Sequence, residues 1–232
     1  MAEFVDEIVT GRLAPGDVLA REVEVADRFG ISRGVARECV RGLEERGLVT
    51  VRHGSDTTVN PREKWDLFDE YVLSAALGGA AAVESLGAYL ECRRIIEVEA
   101  AGLAAERCAP EHVAALEARF AAMVDATRER DRRRREQRFH EADVAFHVAL
   151  IEGTGNPPLV LLVRRIYTAL MAARFPLARP AYRRTRALPE HAAILAAVRA
   201  GDPQAARDAM RTHLMTVEPY LHEHARRVAR GA

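Results

Sequence analysis

The chain has 232 residues, of which 49% are apolar and 29% charged, and its 34 Lys and Arg balance its 34 Asp and Glu. This length predicts one large or two modest domains, and the abundance of Ala, Leu, Arg and Glu favours helices. No apolar run approaches the ~20 residues that span a bilayer, and the N-terminus lacks the pattern of a secretory signal. The three cysteines have no paired spacing, which favours a reduced, cytoplasmic protein without a membrane partner.

The N-terminal segment predicts three short helices and a β-hairpin. The expected elements are helices over 2–10, 22–29 and Ser32 to about Arg46, then strands over 48–52 and 57–59. Gly30 and Gly47 stand where the second and third helices should end, and Ser32 is a natural N-cap. The order of helix, turn, helix and hairpin is typical of a winged helix-turn-helix.

The third predicted helix carries a ridge of arginines. Arg33, Arg37 and Arg41 recur every four residues beside an apolar arc. Positive charge is concentrated between Arg28 and Gly54, although residues 1–60 are slightly acidic overall. Such a ridge can enter the major groove and donate to guanine edges or phosphates. In an isolated helix, a solvated face paired with neighbouring glutamates is the commoner arrangement. Here the preceding helix and tight turn favour the groove.

The order of these residues resembles a known family. The segment IVTGRLAPGDVLAREVEVADRFGISRGVARECVRGLEERGLVTVRHGSDTTV is similar to the DNA-binding domain of GntR-family regulators. The resemblance implies that Ser32, Arg33 and Arg37 face DNA. It also implies that the hairpin tip near His53 and Gly54 reaches the minor groove.

Two departures from the family pattern concern DNA contacts. Val23 stands where the family has an Arg that contacts phosphate, and Arg21 is the local substitute. Asp56 stands where the hairpin commonly has a second Gly. Asp tolerates left-handed backbone, but its charge would lie beside phosphates.

From residue 61 onward the sequence predicts helices alone. The expected spans are 64–77, 83–108, 110–130, 134–153, 157–175, 181–200 and 203–229. The polar joint at 60–62 divides the chain into predicted domains 1–60 and 61–232. Pro189 either kinks the sixth span or marks its start. The fold class is therefore mainly α, with a winged helix-turn-helix before an all-α antiparallel bundle of six to seven helices. The charged run 128–136 is interpreted as a solvated helix connection.

Four residues of the second domain form a candidate metal site. Asp143 and His147 are four residues apart, and so share one face of a helix with apolar neighbours. His191 and His213 lie in later helices. Three imidazoles and one carboxylate suit Zn²⁺, Ni²⁺ or a related divalent ion. Taken alone, such scattered histidines are more often structural or exposed.

A second resemblance strengthens the metal interpretation. The segments DVAFHVALIEGTGNPPL and EHAAILAAVRAGDPQAARDAMRTHL resemble the FCD sensor domain of the FadR subfamily. The resemblance implies that the four candidate residues bind a metal and that Arg93 faces the pocket. Arg93 is suited to one oxygen of a small carboxylate effector while the metal takes the other. Arg94 is the local alternative, and a surface ion pair with Glu91 or Glu97 is the simpler interpretation of either.

Together these features predict a transcriptional repressor that binds double-stranded DNA as a homodimer on an inverted-repeat operator. A small organic acid is expected to modulate operator affinity, and the segment WDLFDEYVL is similar to that of sugar-acid-responsive members. The alternatives are a helical metalloenzyme and a DNA-binding protein whose metal is purely structural. No general base or nucleophile motif accompanies the candidate ligands, which argues against an enzyme.

Overall fold

The computed structural model describes residues 1–52, 56–79, 82–107, 109–172 and 186–231. It contains two compact units, one built mainly on residues 1–83 and one built mainly on 84–167 and 186–227. The predicted hairpin tip at His53 and Gly54 and the predicted break from Pro176 to Pro180 lie outside the described residues. None of the described helices is long and apolar enough to cross a bilayer.

The first unit has the predicted helix-turn-helix and hairpin. Its first elements are α1 (Ala2–Val9), α2 (Glu22–Phe29), α3 (Arg33–Glu45), β1 (Val49–Thr50) and β2 (Thr58–Val59). The strands are antiparallel with Val49 opposite Val59, and Val18 adds a bridge to Thr58. Apolar side chains from all these elements form one core, which includes Phe4, Ile8, Val25, Val40, Leu43, Leu48 and Val59. The winged helix-turn-helix prediction is confirmed.

Local chemistry encodes the turn between α2 and α3. Gly30 ends α2 with φ of 62°, a left-handed conformation that glycine adopts without strain. Ser32 then begins α3, because its Oγ accepts a hydrogen bond of 3.3 Å from the Val35 amide. These two caps fix where α3, the helix that carries the arginine ridge, begins.

The predicted helix 64–77 is wrong in its first half. A short 3₁₀ helix covers Arg62–Lys64, and α4 begins only at Glu70 and runs to Gly78. The Asp69 carboxylate accepts from the Tyr71 and Val72 amides at 2.9 and 3.2 Å. Aspartate side chains that bond nearby amides favour turns and N-caps over a helix interior. Helix α4 packs against α1, so the first compact unit extends beyond residue 60.

Asn60 ties the hairpin to the chain that follows it. Its Nδ2 donates to the Gly47 carbonyl at 2.8 Å, and its Oδ1 accepts from Thr50 Oγ1 at 2.7 Å. Its own carbonyl accepts from Trp65 Nε1 at 2.9 Å. Asn60 is 6% exposed, so these bonds satisfy a side chain that would be costly to bury alone.

The second unit consists of helices among the described residues. They are α5 (Ala82–Arg107), α6 (Pro110–Ala126), α7 (Arg132–Glu152), α8 (Pro157–Ala172), α9 (Leu188–Ala200) and α10 (Pro203–Gly231). The core draws on five of these helices through residues such as Ala101, Leu116, Met123, Phe146, Leu150, Ile194 and Met210. Pro189 lies in the first turn of α9, so it marks a helix start and not a kink. The predicted all-α architecture is confirmed.

The charged run joins α6 to α7. The Asp131 carboxylate accepts from the Arg134 amide at 2.8 Å and so caps α7. Arg128 pairs with Asp125, and Arg132 pairs with Glu136 one turn away. Arg128 and Arg132 therefore have carboxylate partners close to them in the sequence.

Replacing Gly47 by Ala should destabilise the first unit. Gly47 has φ of 70°, and an added Cβ would lie 2.0 Å from the Lys64 carbonyl oxygen. We expect Gly47→Ala to lower the free energy of unfolding by about 3 kcal/mol or more, since left-handed strain adds to a backbone clash. Urea unfolding followed through Trp65, the single tryptophan, measures the loss.

Gly16→Ala is the matched control. Gly16 also has positive φ, at 93°, but nothing lies within 4 Å of an added Cβ. Its cost should therefore be the backbone strain alone, about 1–2 kcal/mol. Equal losses in the two variants would contradict the predicted clash at Gly47.

Candidate DNA-binding face and metal centre

Helix α3 presents its arginines to solvent. Arg37 Nε lies 3.4 Å from Glu22 Oε2, and Arg41 Nε lies 3.1 Å from Glu45 Oε1. The Arg37 and Arg41 side chains are 70% and 66% exposed, and Arg33 is exposed beside them. Exposed ion pairs contribute little stability, so these guanidinium groups can exchange a carboxylate for a phosphate or a guanine edge at low cost.

The two departures from the family pattern lie close to one cation. Arg21 Nη2 is 3.8 Å from Asp56 Oδ1, and the two side chains are 79% and 52% exposed. Val23 is 44% exposed. Arg21 therefore offsets part of the negative charge that Asp56 adds to the base of the hairpin.

Three histidine rings meet inside the second unit. His147 comes from α7, His191 from α9 and His213 from α10, and they are 0%, 0% and 4% exposed. One ring nitrogen from each lies within 4.8 Å of those of the other two. The His191 and His213 ring centroids are only 4.3 Å apart. The fold therefore brings together residues that are far apart in the sequence.

Each of these rings places its Nδ1 against an oxygen atom. The contacts are His147 Nδ1 to Glu97 Oε2 at 2.6 Å, His191 Nδ1 to the Ala187 carbonyl at 2.6 Å, and His213 Nδ1 to Glu190 Oε2 at 3.0 Å. Carbonyl and carboxylate oxygens accept hydrogen bonds, so Nδ1 carries the hydrogen in His191 and His213, and Nε2 of those two rings carries a lone pair. His147 Nδ1 is in close contact with Glu97 but makes no hydrogen bond among the described residues. Histidines that bind metals are commonly held in this way through their other nitrogen.

The fourth predicted residue, Asp143, lies at the same place. Its Oδ1 is 3.2 Å from His191 Nε2. The His147 Nε2 atom is buried and has no hydrogen-bond partner among the described residues. A carboxylate oxygen beside an imidazole lone pair is unfavourable unless a cation or a proton lies between them. The donor set therefore fits a divalent cation.

The surroundings set the charge of the His213 ring. Burial, reinforced by His191, lowers the pKa of His213 to about 4. At neutral pH the His213 ring is therefore neutral, the form that binds metals.

A buried polar network lies behind the His147 ring. Arg93 Nε donates to Glu97 Oε1 at 2.7 Å, and Arg93 Nη2 donates to the Tyr167 hydroxyl at 2.6 Å. Arg93 is 5% exposed and Glu97 is 1% exposed, whereas Arg94 is exposed. Of the two arginines, Arg93 is therefore the buried one, and its part in ligand binding stays a prediction. The expected ion pair with Glu97 also exists, but it is buried and not on the surface.

The charges of this network support one another. Burial lowers the pKa of Arg93, but the Glu97 carboxylate outweighs burial and raises it above its ordinary value. Burial likewise raises the pKa of Glu97, and Arg93 outweighs it, so the carboxyl is ionised. Burial is the main cause that raises the pKa of Tyr167, so its hydroxyl keeps its proton.

Sequence reasoning did not identify Glu97, Tyr167 or Glu190 as residues of this site. The available signal for Glu97 is its spacing of four from Arg93, which puts both on one face of α5. Glu190 directly precedes His191. Tyr167 had no signal of its own, because its partners belong to other helices.

The fold and the donor set define a DNA-binding regulator whose second domain is all helical. Residues 2–59 match the model of bacterial regulatory proteins of the gntR family, and residues 88–216 match the FCD domain. The chain belongs to the gntR family of bacterial regulators, with the FadR-type combination of a DNA-binding domain and an FCD domain.

Relatives support this assignment over nearly the whole chain. The galactonate operon transcriptional repressor of Escherichia coli K12 is 29% identical over 226 residues, covering 94% of this chain and 93% of that protein. The regulator LutR of Bacillus subtilis is 31% identical over 220 residues, covering 92% and 95%. A solved structure of Lar, which controls expression of the Listeria monocytogenes agr system, is 20% identical with a TM-score of 0.63, covering 98% and 97%. That last likeness concerns the fold alone.

These relatives decide between two of the predicted functions. The matched family and the named relatives are transcriptional regulators. The protein is therefore a DNA-binding transcriptional regulator and not an enzyme, and the metalloenzyme alternative is set aside.

The double variant Arg33→Ala/Arg37→Ala should lose operator binding. Each good arginine contact contributes about 1–3 kcal/mol, so the pair should cost about 100-fold in affinity or more. Fluorescence anisotropy measures this on a duplex that the wild-type protein has selected from a random library. Arg132→Ala/Arg133→Ala removes two exposed arginines of α7 as a matched control. Unchanged affinity in the α3 variant, or an equal loss in the α7 variant, would count against the proposed face.

Proposed function

We propose that this regulator is a homodimeric repressor that binds an inverted-repeat operator and releases it when a small carboxylate binds at a divalent metal in the helical domain. In this proposal residues 1–60 bind DNA in the cytoplasm, and residues 61–232 sense the ligand and dimerise. Ser32, Arg33, Arg37 and Arg41 contact DNA from α3, and His53 and Gly54 contact it from the hairpin tip. The observation that supports the sensing part is the convergence of one ring nitrogen from each of three buried histidines within 4.8 Å of one another.

The proposed metal ligands are Asp143, His147, His191 and His213. Nitrogen and oxygen donors of this kind suit Zn²⁺ or Ni²⁺. A bound metal would supply a Lewis acid for one oxygen of the ligand. The charges support this, because the described residues place a buried carboxylate at position 97 and a partly buried one at position 143 near the buried guanidinium of Arg93.

Arg93 is the proposed recognition residue for the ligand carboxylate. Its Nε and Nη2 groups already donate to Glu97 and Tyr167. Within the described residues Nη1 makes no hydrogen bond, so it can donate to an incoming oxygen. Arg93 would then hold the ligand through one amino group, while the metal takes another oxygen.

Sugar acids are the first candidates for the ligand. The relative from Escherichia coli is named for a galactonate operon. Galactonate carries a hydroxyl next to its carboxylate, and two such oxygens can bind one metal together. The WDLFDEYVL segment adds a second, weaker line of support. A ligand of this kind regulates DNA binding when it prefers one conformation of the dimer over the other.

Substituting any one histidine of the triad should abolish tight metal binding. We expect the wild-type protein to bind one Zn²⁺ or Ni²⁺ per chain. His147→Ala, His191→Ala and His213→Ala should each lower the affinity by about 100-fold or more, because even indirect supports of a metal site contribute 10–100-fold. Titration against a chromophoric chelator measures this. His112→Ala, on α6, is the matched control and should bind as the wild type does.

Metal removal separates a sensing role from a structural one. In the proposed function the chelated protein stays folded, loses its ligand response and regains it when metal is restored. Unfolding of the helical domain on chelation would support the alternative of a purely structural metal. Circular dichroism with and without chelator distinguishes the two results.

Galactonate should weaken operator binding by the metal-loaded protein. We expect a loss of about 10-fold or more at saturation, within the usual range of coupling between two sites. Galactitol, which lacks the carboxylate, should have no effect. Arg93→Lys keeps the positive charge beside Glu97 but changes its donor geometry, and it should reduce the response. Equal operator affinity with and without galactonate would argue against galactonate as the effector.

A further inference from the structure

The Glu97 carboxylate lies beside His147, and neighbouring side chains contact both of its oxygen atoms. Its Oε1 accepts from Arg93 Nε at 2.7 Å, and its Oε2 lies 2.6 Å from His147 Nδ1. The Tyr167 hydroxyl lies 3.0 Å from both oxygens. A carboxylate that contacts a guanidinium, a phenol and an imidazole has little freedom to rotate.

The hydrogen atoms of this network can be assigned from the chemistry of the groups. Arg93 has donors only, so the Tyr167 oxygen accepts from Nη2 at 2.6 Å. The single hydrogen of Tyr167 then points to Glu97. Glu97 Oε2 lies 2.6 Å from His147 Nδ1, close enough to accept its hydrogen, and that donation would fix His147 with its lone pair on Nε2.

We infer that Glu97 is a positioning residue, whose carboxylate is held by Arg93 and Tyr167 and in turn fixes the tautomer and ring orientation of His147 for metal binding. This inference rests on the proposed metal site and adds a residue to it. Glu97 lies on the Nδ1 side of the ring, so it supports the ligand atom from behind and does not compete for the ion. An anionic acceptor at Nδ1 also makes Nε2 a better electron donor.

A surface ion pair with Arg93 does not explain the contacts of Glu97. Glu97 is 1% exposed, and burying an ionised carboxylate is costly unless charged donors satisfy it. The pair with Arg93 alone would satisfy Oε1. The short contact from Oε2 to His147 is the part that an ion pair on α5 does not require.

The test compares three variants of the full-length protein for Zn²⁺ affinity by chelator competition. Glu97→Gln keeps the size but removes the charge, and it should lower the affinity by about 10–100-fold. Tyr167→Phe removes one of the two donors that hold the carboxylate but keeps the bond from Arg93, so it should cost less affinity than Glu97→Gln, about threefold at most. Arg93→Met/Glu97→Met removes both charges together and avoids an unpaired buried guanidinium. It should lose affinity as Glu97→Gln does.

A second measurement reads the tautomer directly in the metal-free protein. Two-bond ¹H–¹⁵N correlation spectra of ¹⁵N-histidine protein should show His147 protonated at Nδ1 in the wild type. The double Met variant, which has no acceptor at this position, should shift His147 towards protonation at Nε2. Assignment uses the spectrum of His147→Gln.

The outcomes separate this inference from the proposed function. Wild-type protein that binds no Zn²⁺ or Ni²⁺ would overturn the metal part of the proposed function, while the tautomer spectra would still decide the role of Glu97. Wild-type protein that binds metal, with unchanged affinity and tautomer in both Glu97 variants, would overturn the inference alone. An equal loss in Tyr167→Phe would also overturn it, because removing one hydroxyl while the carboxylate and Arg93 stay in place would then cost as much as removing the charge of the carboxylate.

Discussion

Three buried imidazoles without access to water constrain the helical unit more than any other feature. Each ring must place an N–H on an acceptor, since an unpaired buried donor costs about 1–3 kcal/mol. The acceptors come from α5, from the carbonyl of Ala187 and from Glu190 in α9. The relative placement of α5, α7, α9 and α10 is therefore tied to the tautomers of the rings. The same arrangement brings one ring nitrogen of each histidine within 4.8 Å of those of the other two.

The two units treat charge in opposite ways. On α3 the guanidinium groups are exposed, and their ion pairs with carboxylates contribute little free energy. Such groups can exchange a carboxylate for a DNA phosphate, as a DNA-binding surface requires. Around His147 the charged groups are buried and each is committed to a partner. A site of the second kind favours one geometry strongly, because each buried charge is satisfied only in that arrangement.

Local signals in the sequence account for what could be predicted. Helix α2 begins and ends at the predicted residues because Gly30 and Ser32 fix its boundary with α3. The helix predicted from residue 64 begins at Glu70, since Asp69 bonds the chain in a competing turn. The four metal-site residues came from their resemblance to a family pattern. The role of Glu97 could not be predicted, because it depends on Tyr167 and His147, which only the tertiary packing brings to it.

The commitment of Arg93 to Glu97 has a consequence for ligand recognition. A guanidinium whose charge is already balanced by a buried carboxylate attracts a lone anion only weakly. Its Nη1 is nevertheless held in place, so a ligand that reaches it does not have to order a flexible side chain. A small carboxylate would thus gain most of its binding free energy from the metal and most of its orientation from Arg93. In the proposed mechanism neither the metal nor Arg93 is sufficient alone to bind the ligand. The response to ligand therefore depends on metal occupancy.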